Sequence, residues 1–175
     1  RDDGVALTVS FTAKLRVGRV DFEGHHQSEA RLREAAALRV VQADVHNTAD
    51  LQRLVRGADA VINLVAVLHG SEAEFQRVHV DLPQKLAAAC NATGVRRVVH
   101  VSALGVGDAA PSRYLRSKAA GEMAARGEPS VAATIFRPSV VFGPGDNFLN
   151  MFARLQKRLP VLPLACADTD FQPVF

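Results

Sequence analysis

From residue 38 onward, short apolar runs alternate with segments whose apolar residues recur at helical spacing. The short runs, rich in β-branched residues, predict buried strands, and the longer periodic segments predict amphipathic helices. The predicted strands span residues 38–43, 60–67, 97–102 and 131–136. Such an alternation implies parallel strands joined by right-handed crossovers, with helices on both faces of the sheet. The pattern therefore predicts an α/β fold.

Capping residues predict where the helices begin and end. Asn47 is expected to cap a helix that stops at Gly57, and Ser71 is expected to begin the next one. Pro83 falls inside that second helical stretch, so we expect a kink or a restart there, with Asp81 as the cap. The helix that contains Pro83 is predicted to end at Gly94, and another helix is predicted over residues 111–127. A Pro/Gly loop is predicted over 138–145, followed by a helix over 146–159 that Asp146 caps.

Composition narrows the function classes. The chain has 175 residues, 48% of them apolar, which fits a single domain. Its net charge is only +3 and it carries no basic block, so we predict no nucleic-acid partner. Cys90 and Cys166 are far apart, and the histidines lack ligand spacing, so we predict no metal site and a reducing, cytoplasmic location. No apolar run reaches the roughly 20 residues of a membrane span.

The strongest candidate chemistry involves Ser102, Tyr114 and Lys118. Tyr114 and Lys118 are four residues apart in a predicted helix, so they share one face. An ammonium beside a phenol favours the phenolate, so we expect Lys118 to lower the pKa of Tyr114. Such a phenol suits general acid/base catalysis between a carbonyl and an alcohol. Ser102 ends the preceding strand, where ligands bind in parallel sheets, and its hydroxyl suits binding of the reacting oxygen.

Several motifs resemble one family, the extended and atypical short-chain dehydrogenases/reductases of the NAD-dependent epimerase/dehydratase group. The resemblance to the family's active-site block is carried by residues 100–105 (HVSALG) and 114–122 (YLRSKAAGE). Further similarity is carried by residues 136–148 (FRPSVVFGPGDNF), 162–164 (LPL) and 171–174 (FQPV). The whole stretch from about Val40 to Phe175 is most similar to bacterial relatives of the nucleotide-binding accessory subunit of respiratory complex I. This resemblance implies a Rossmann-like, doubly wound parallel sheet that binds NAD or NADP.

The resemblance also implies roles for individual residues. Tyr114 matches the catalytic acid/base, Lys118 the residue that binds the nicotinamide ribose, and Ser102 the hydroxyl that orients substrate. The remaining positions match cofactor contacts: Asp44 and Val45 at the adenine; Asn63, Leu64, Val65 and Ala66 beside the adenosine ribose; and Pro138, Ser139 and Val140 at the nicotinamide carboxamide. Simpler interpretations exist for three residues. Asp44 suits a turn, Asn63 suits a satisfied polar group within a strand, and Arg137 suits a pair with a helix carboxylate.

The first 37 residues depart from the family pattern. They contain no GxxGxxG loop, in which glycines let backbone N–H groups approach a pyrophosphate. His79 also stands where extended members often carry an Asn that supports the active site. We interpret residues 1–37 as an atypical N-terminal segment, 38–159 as the NAD(P)-binding domain and 160–175 as the start of a truncated substrate region. The sheet is then expected to be incomplete at both ends.

Three functions remain open from the sequence. The first is an NAD(P)-dependent oxidoreductase or epimerase-like enzyme that acts on an unknown small molecule through Ser102, Tyr114 and Lys118. The second is a non-catalytic NAD(P)H-binding accessory protein, associated peripherally with a respiratory complex at the inner membrane. The third is a fragment that binds no cofactor tightly, because the pyrophosphate loop is missing. The residue that would distinguish NAD from NADP falls in the part of the sequence that does not align.

Overall fold

The computed structural model describes residues 41, 43–143, 146, 149–158 and 173. The atypical N-terminal segment, most of the strand predicted over 38–43 and most of the tail motifs lie outside these residues. The described strands are β1 (Val61–Asn63), β2 (Arg97–Val101) and β3 (Ala132–Phe136). The described helices are α1 (Thr48–Val55), α2 (Glu72–Phe75), a π-helical segment (Gln76–Asp81), α3 (Leu82–Thr93), α4 (Arg113–Ala125) and α5 (Leu149–Gln156).

The three strands form one parallel sheet in the order β1-β2-β3. Asn63 is paired with His100 in β2, and Val101 is paired with Phe136 in β3. The predicted parallel α/β class is thus confirmed. Because the strands advance in one direction, right-handed crossovers place α3 and α4 on the same face of the sheet. Every second residue of β1 and β2 is buried against that face, including Val61 and Val98.

The core lies between this sheet face and the helices. Its members share nearly complete burial and come from α1, β1, α2, the π-helical segment, α3 and β2: Leu51, Val55, Val61, Phe75, Val78, Leu82, Leu86, Cys90 and Val98. Residues that precede β1, residues of the connection between β1 and β2, and residues of the two strands thus fill one continuous core. Tyr114 of α4 packs against this core, so the sheet and the helix face that carries the candidate site are held by the same packing.

The predicted helix caps are largely confirmed. The Asn47 side chain accepts hydrogen bonds from the first turn of α1. Ser71 and Glu74 form a reciprocal capping box at α2, and Gly94 ends α3 in the left-handed conformation with φ of 83°. At α5 the Asp146 carboxylate accepts a hydrogen bond from the backbone N–H of Asn150. Local side-chain chemistry therefore sets these boundaries.

Three predicted elements differ from the structure. The predicted role of Asp81 as a cap is wrong, because Asp81 is helical and its side chain makes no capping bond. The interruption expected near Pro83 is instead a π-helical segment that leads directly into α3. Its wider turn accommodates Pro83, which has no N–H to donate to the His79 carbonyl. The strand predicted over 60–67 ends at Asn63, whose side chain turns the chain by accepting from the Val65 N–H. Val41 and Ala43 are not in a strand.

Candidate functional site

The predicted site residues follow the carboxyl ends of the three strands. Asn63 ends β1, Ser102 follows β2, and Pro138 lies two residues beyond β3. Backbone hydrogen bonds continue past the sheet, from Ser102 N–H to the Phe136 carbonyl at 2.7 Å and from Leu104 N–H to the Pro138 carbonyl at 2.8 Å. The segments after β2 and β3 therefore stay side by side. This edge is where parallel sheets bind ligands.

Lys118 reaches this edge from α4. Its Nζ donates to the carbonyl oxygen of Val101 at 2.7 Å, which places the ammonium next to Ser102. The side chain is buried with only 1% exposed, and burial lowers its pKa from 10.5 to about 8. A carbonyl can accept only one of the three ammonium protons. Lys118 therefore retains donors for the hydroxyls of a ligand at this edge.

Tyr114 lies one turn before Lys118 on the same helix and is half-buried against the core. The expected direction of its pKa is wrong, because burial raises the pKa of the phenol. Desolvation disfavours the phenolate. Tyr114 is consequently a neutral proton donor around neutral pH.

His79 connects three parts of the site. The backbone N–H of Val67 donates to His79 Nε2 at 3.1 Å, so the ring proton resides on Nδ1. Nδ1 then donates to Ser117 Oγ at 2.7 Å, and Ser117 donates to the Tyr114 carbonyl at 2.8 Å. The ring also meets Tyr114 edge-on, with centroids 5.5 Å apart. The chain after β1 is thereby fastened to the helix that carries Tyr114 and Lys118.

His100 and Ser102 present polar groups on one side of β2. The Asn63 side-chain amide donates to His100 Nδ1 at 3.1 Å, so the ring proton lies on Nε2. Burial lowers the pKa of His100 to about 4, with a smaller contribution from Lys118. Neither His100 Nε2 nor the Ser102 hydroxyl has a hydrogen-bond partner among the described residues, and both are buried. Unsatisfied buried polar atoms are rare, so these two groups are candidates for contact with a polar ligand at this edge of the sheet.

Glu122 adds a buried carboxylate one turn beyond Lys118. It accepts from Arg137 Nε at 2.8 Å and from Nη2 at 2.6 Å. Arg137 is thus paired with a helix carboxylate, as one interpretation of the sequence expected. The guanidinium chiefly, and the nearby Ser102 hydroxyl to a smaller extent, hold the pKa of Glu122 below its usual value. The Ser102 hydroxyl lies beside this carboxylate without the alignment of a hydrogen bond.

The residues matched to adenine and ribose contacts lie around β1. The Asp44 carboxylate accepts from the His46 N–H at 2.8 Å, which is a turn contact and agrees with the simpler interpretation of Asp44. The Lys85 Nζ donates to the His46 carbonyl and fixes this turn to α3. Val45 packs partly against the core. Along the chain after β1, Leu64 is exposed, Val65 is buried and Ala66 is half-buried, and Ser139 and Val140 are half-buried after β3.

Sequence reasoning missed the roles of His100 and Glu122, although signals for both were present. Glu122 continues the four-residue spacing of Tyr114 and Lys118 along one helix face. His100 stands two residues before Ser102 and therefore points to the same side of the strand.

Among the residues that the structure describes, no cluster of His, Cys, Asp and Glu has the arrangement of a metal site. None of the described helices has the length and apolar character needed to cross a membrane.

Comparison with known proteins identifies a matching family and several relatives of this chain. Residues 19–141 match a family model described as NAD(P)H-binding. The chain is 37% identical over 145 residues to the mouse mitochondrial NADH dehydrogenase [ubiquinone] 1 alpha subcomplex subunit 9, covering 79% of this chain and 37% of that protein. It is also 37% identical over 127 residues to the ceramide reductase of Caulobacter vibrioides, covering 71% and 39%. The chain thus spans about two fifths of the length of these relatives.

Several solved structures have a fold similar to that of this chain. One is a double mutant of the dTDP-glucose 4,6-dehydratase DesIV of Streptomyces venezuelae with NAD bound, at a TM-score of 0.62 and 26% identity, covering 73% of this chain and 48% of that one. Another is MoeE5 in complex with UDP-glucuronic acid and NAD, at a TM-score of 0.58 and 26% identity, covering 68% and 47%.

Proposed function

Since this chain belongs to the NAD(P)H-binding family of short-chain dehydrogenase/reductase-like proteins, we propose that the carboxyl edge of its sheet binds NAD or NADP for oxidoreductase or epimerase/dehydratase chemistry. The observation that carries the proposal is the contact between Lys118 and the Val101 carbonyl. It brings a buried ammonium and the Ser102 hydroxyl to the point where three parallel strands end. Donors of this kind suit a ribose and a reacting oxygen.

The cofactor would supply or accept the hydride. Lys118 would donate hydrogen bonds to the nicotinamide ribose, and Ser102 would hold the reacting oxygen of the substrate. Tyr114 would donate its phenolic proton to that oxygen. Because burial keeps the phenol protonated, this arrangement favours the direction in which a carbonyl becomes an alcohol. The turn from Pro138 to Val140 would line the nicotinamide, and residues 44–45 and 63–66 the adenosine half.

A cofactor titration tests the proposal. We expect the fluorescence of NADH or NADPH to change saturably when the chain is added, and we expect Lys118→Met to weaken binding at least about tenfold, the effect of losing roughly 1.4 kcal/mol of contacts. Lys157→Met, at an exposed position, is the matched control and should bind as the wild type does. Failure of the wild-type chain to bind either dinucleotide would overturn the proposal and favour the fragment interpretation.

Turnover then distinguishes an enzyme from a binding protein. NADH consumption would be followed at fixed pH with a panel of keto-sugar nucleotides and long-chain ketones. We expect Tyr114→Phe to abolish turnover while leaving NADH affinity within about twofold of the wild type, since the ring and its packing are kept. Equal turnover in the two proteins would refute the role given to Tyr114.

A second candidate function rests on the similarity to the mouse subunit. In that case the chain is part of an accessory protein that binds the dinucleotide without turnover, in the cytoplasm and peripherally at the inner membrane on a respiratory complex. It predicts saturable NADH binding, no consumption with any member of the panel, and co-purification of the parent protein with membranes that a salt wash removes. Turnover that depends on Tyr114 would refute it.

A further inference from the structure

Glu122 is a buried carboxylate with a specific partner. Its side chain is only 3% exposed, and it accepts both bonds of a two-pronged contact from Arg137. A second guanidinium, that of Arg126, lies 3.7 Å away. Burying an ionised carboxylate is costly unless it is paired and hydrogen-bonded. The geometry therefore maintains a negative charge inside the packed part of α4.

That charge lies one helical turn from Lys118, whose ammonium is almost completely buried and, among the described residues, makes one hydrogen bond, to a neutral carbonyl. The titratable groups whose charges act on this ammonium are Glu122 of α4, His79 of the π-helical segment and His100 of β2. Tyr114 lies one turn before Lys118 on α4, and Ser102 directly follows the Val101 carbonyl that accepts its hydrogen bond. Tyr114 and Ser102 are neutral, and the hydrogen bonds of the two histidines fix them as neutral tautomers. Glu122 is consequently the one anion among the described groups that face Lys118.

The same ion pair extends to the other side of the site. Arg137 directly precedes Pro138, the first residue of the turn that would line the nicotinamide. Its bonds to Glu122 hold that turn against α4, while Lys118 holds α4 against the end of β2. One carboxylate thus joins the two walls between which the reacting end of the cofactor would lie.

We propose that Glu122 is a positioning residue of the dinucleotide site: paired with Arg137, it keeps Lys118 cationic at the end of β2 and holds the turn after β3 in place. This inference rests on the proposed function, since it assigns the residue that prepares the ribose-binding ammonium. Burial lowers the pKa of Lys118 and the charge of Glu122 raises it, so removal of that charge leaves burial unopposed.

The test compares Glu122→Gln with the wild-type chain. The Lys118 titration is followed by NMR of 13C-labelled lysine, with the resonance assigned from Lys118→Met. We expect a midpoint of about 8 in the wild type and a midpoint lower by roughly one to two pH units in the variant. At pH 7.5 the variant should bind NADH about tenfold more weakly than the wild type and recover most of that loss at pH 6, where Lys118 regains its proton.

Glu128→Gln is the matched control, because Glu128 also accepts a side-chain hydrogen bond, from Asn91, but does not face Lys118. It should leave both the midpoint and the binding unchanged. An unchanged Lys118 midpoint in Glu122→Gln, or a loss of NADH affinity equal at pH 6 and pH 7.5, would overturn the proposed role. A wild-type chain that binds neither NADH nor NADPH overturns the proposed function instead, whatever the Lys118 titration shows.

Lys118→Met provides an independent measurement where Glu122→Gln does not fold. Methionine fills a similar volume and removes a buried charge, which proteins often tolerate well. Coupling between two charges is reciprocal, so the Glu122 carboxyl, followed by 13C NMR, should titrate at a higher pH in Lys118→Met than in the wild type. Identical Glu122 titrations in the two proteins would overturn the inference.

Discussion

Lowering the pH from 7 to 5 should destabilise this chain through its two buried histidines. Burial lowers the pKa of His79 and of His100 from 6.5 to about 4. Between these values the unfolded chain binds more protons than the folded chain, so stability falls as the pH falls. With these pKa values, each ring removes about 2 kcal/mol of unfolding free energy between pH 7 and pH 5. That is a large share of the roughly 5–15 kcal/mol typical of a domain.

The assay is urea denaturation followed by circular dichroism at both pH values. His79→Asn removes one titrating ring, so its loss of stability between pH 7 and pH 5 should be about 2 kcal/mol smaller than that of the wild type. Any constant cost of the substitution cancels in this difference. His69→Asn, at an exposed histidine, is the control and should behave like the wild type. Equal losses in His79→Asn and the wild type would refute the assignment of His79 as a buried neutral ring.

Two further predictions concern packing. A Cβ on Gly121 would come within 2.1 Å of the His79 carbonyl oxygen, so Gly121→Ala should destabilise the chain by roughly 1–3 kcal/mol in urea denaturation. Gly107→Ala is the control and should change the stability little, because the space around its Cβ is open. Equal effects of the two substitutions would contradict the close approach at Gly121. Burial raises the pKa of the Cys90 thiol to about 11, so in a Cys166→Ser background it should react with a thiol reagent only after denaturation. Rapid labelling of the folded chain would contradict its burial.

The strand-helix alternation predicted the parallel sheet because apolar periodicity reflects burial, and burial decides the layers. The local capping signals were equally direct: Ser71 and Glu74 satisfy each other within one turn. The end of β1 was harder to predict. Residues 64–67 are as apolar as a strand, but the Asn63 side chain and the His79 ring accept the N–H groups of Val65 and Val67, and these contacts divert the chain from the sheet.

The electrostatics of the site depended on contacts between distant parts of the chain. Spacing placed Tyr114 and Lys118 on one helix face, but it did not show that the ammonium is held by the Val101 carbonyl. The burial of the phenol reverses the expected direction of the pKa of Tyr114. Likewise, the pairing of Arg137 with Glu122 requires the strand order that brings β3 beside β2. Sequence patterns predict which groups share a face, and the packed fold decides their charge.

The π-helical segment between residues 76 and 81 makes chain length matter as much as residue type. A π turn is equivalent to one residue inserted into an α-helix, and each α-helical residue advances the chain by about 100°. Deletion of Val80 would restore regular winding and rotate everything before it by about that angle. The imidazole at position 79 would then face away from Ser117, and the joint between the end of the first strand and the helix bearing Tyr114 would be lost. A variant without this extra residue would therefore need a different side chain to fasten the two elements.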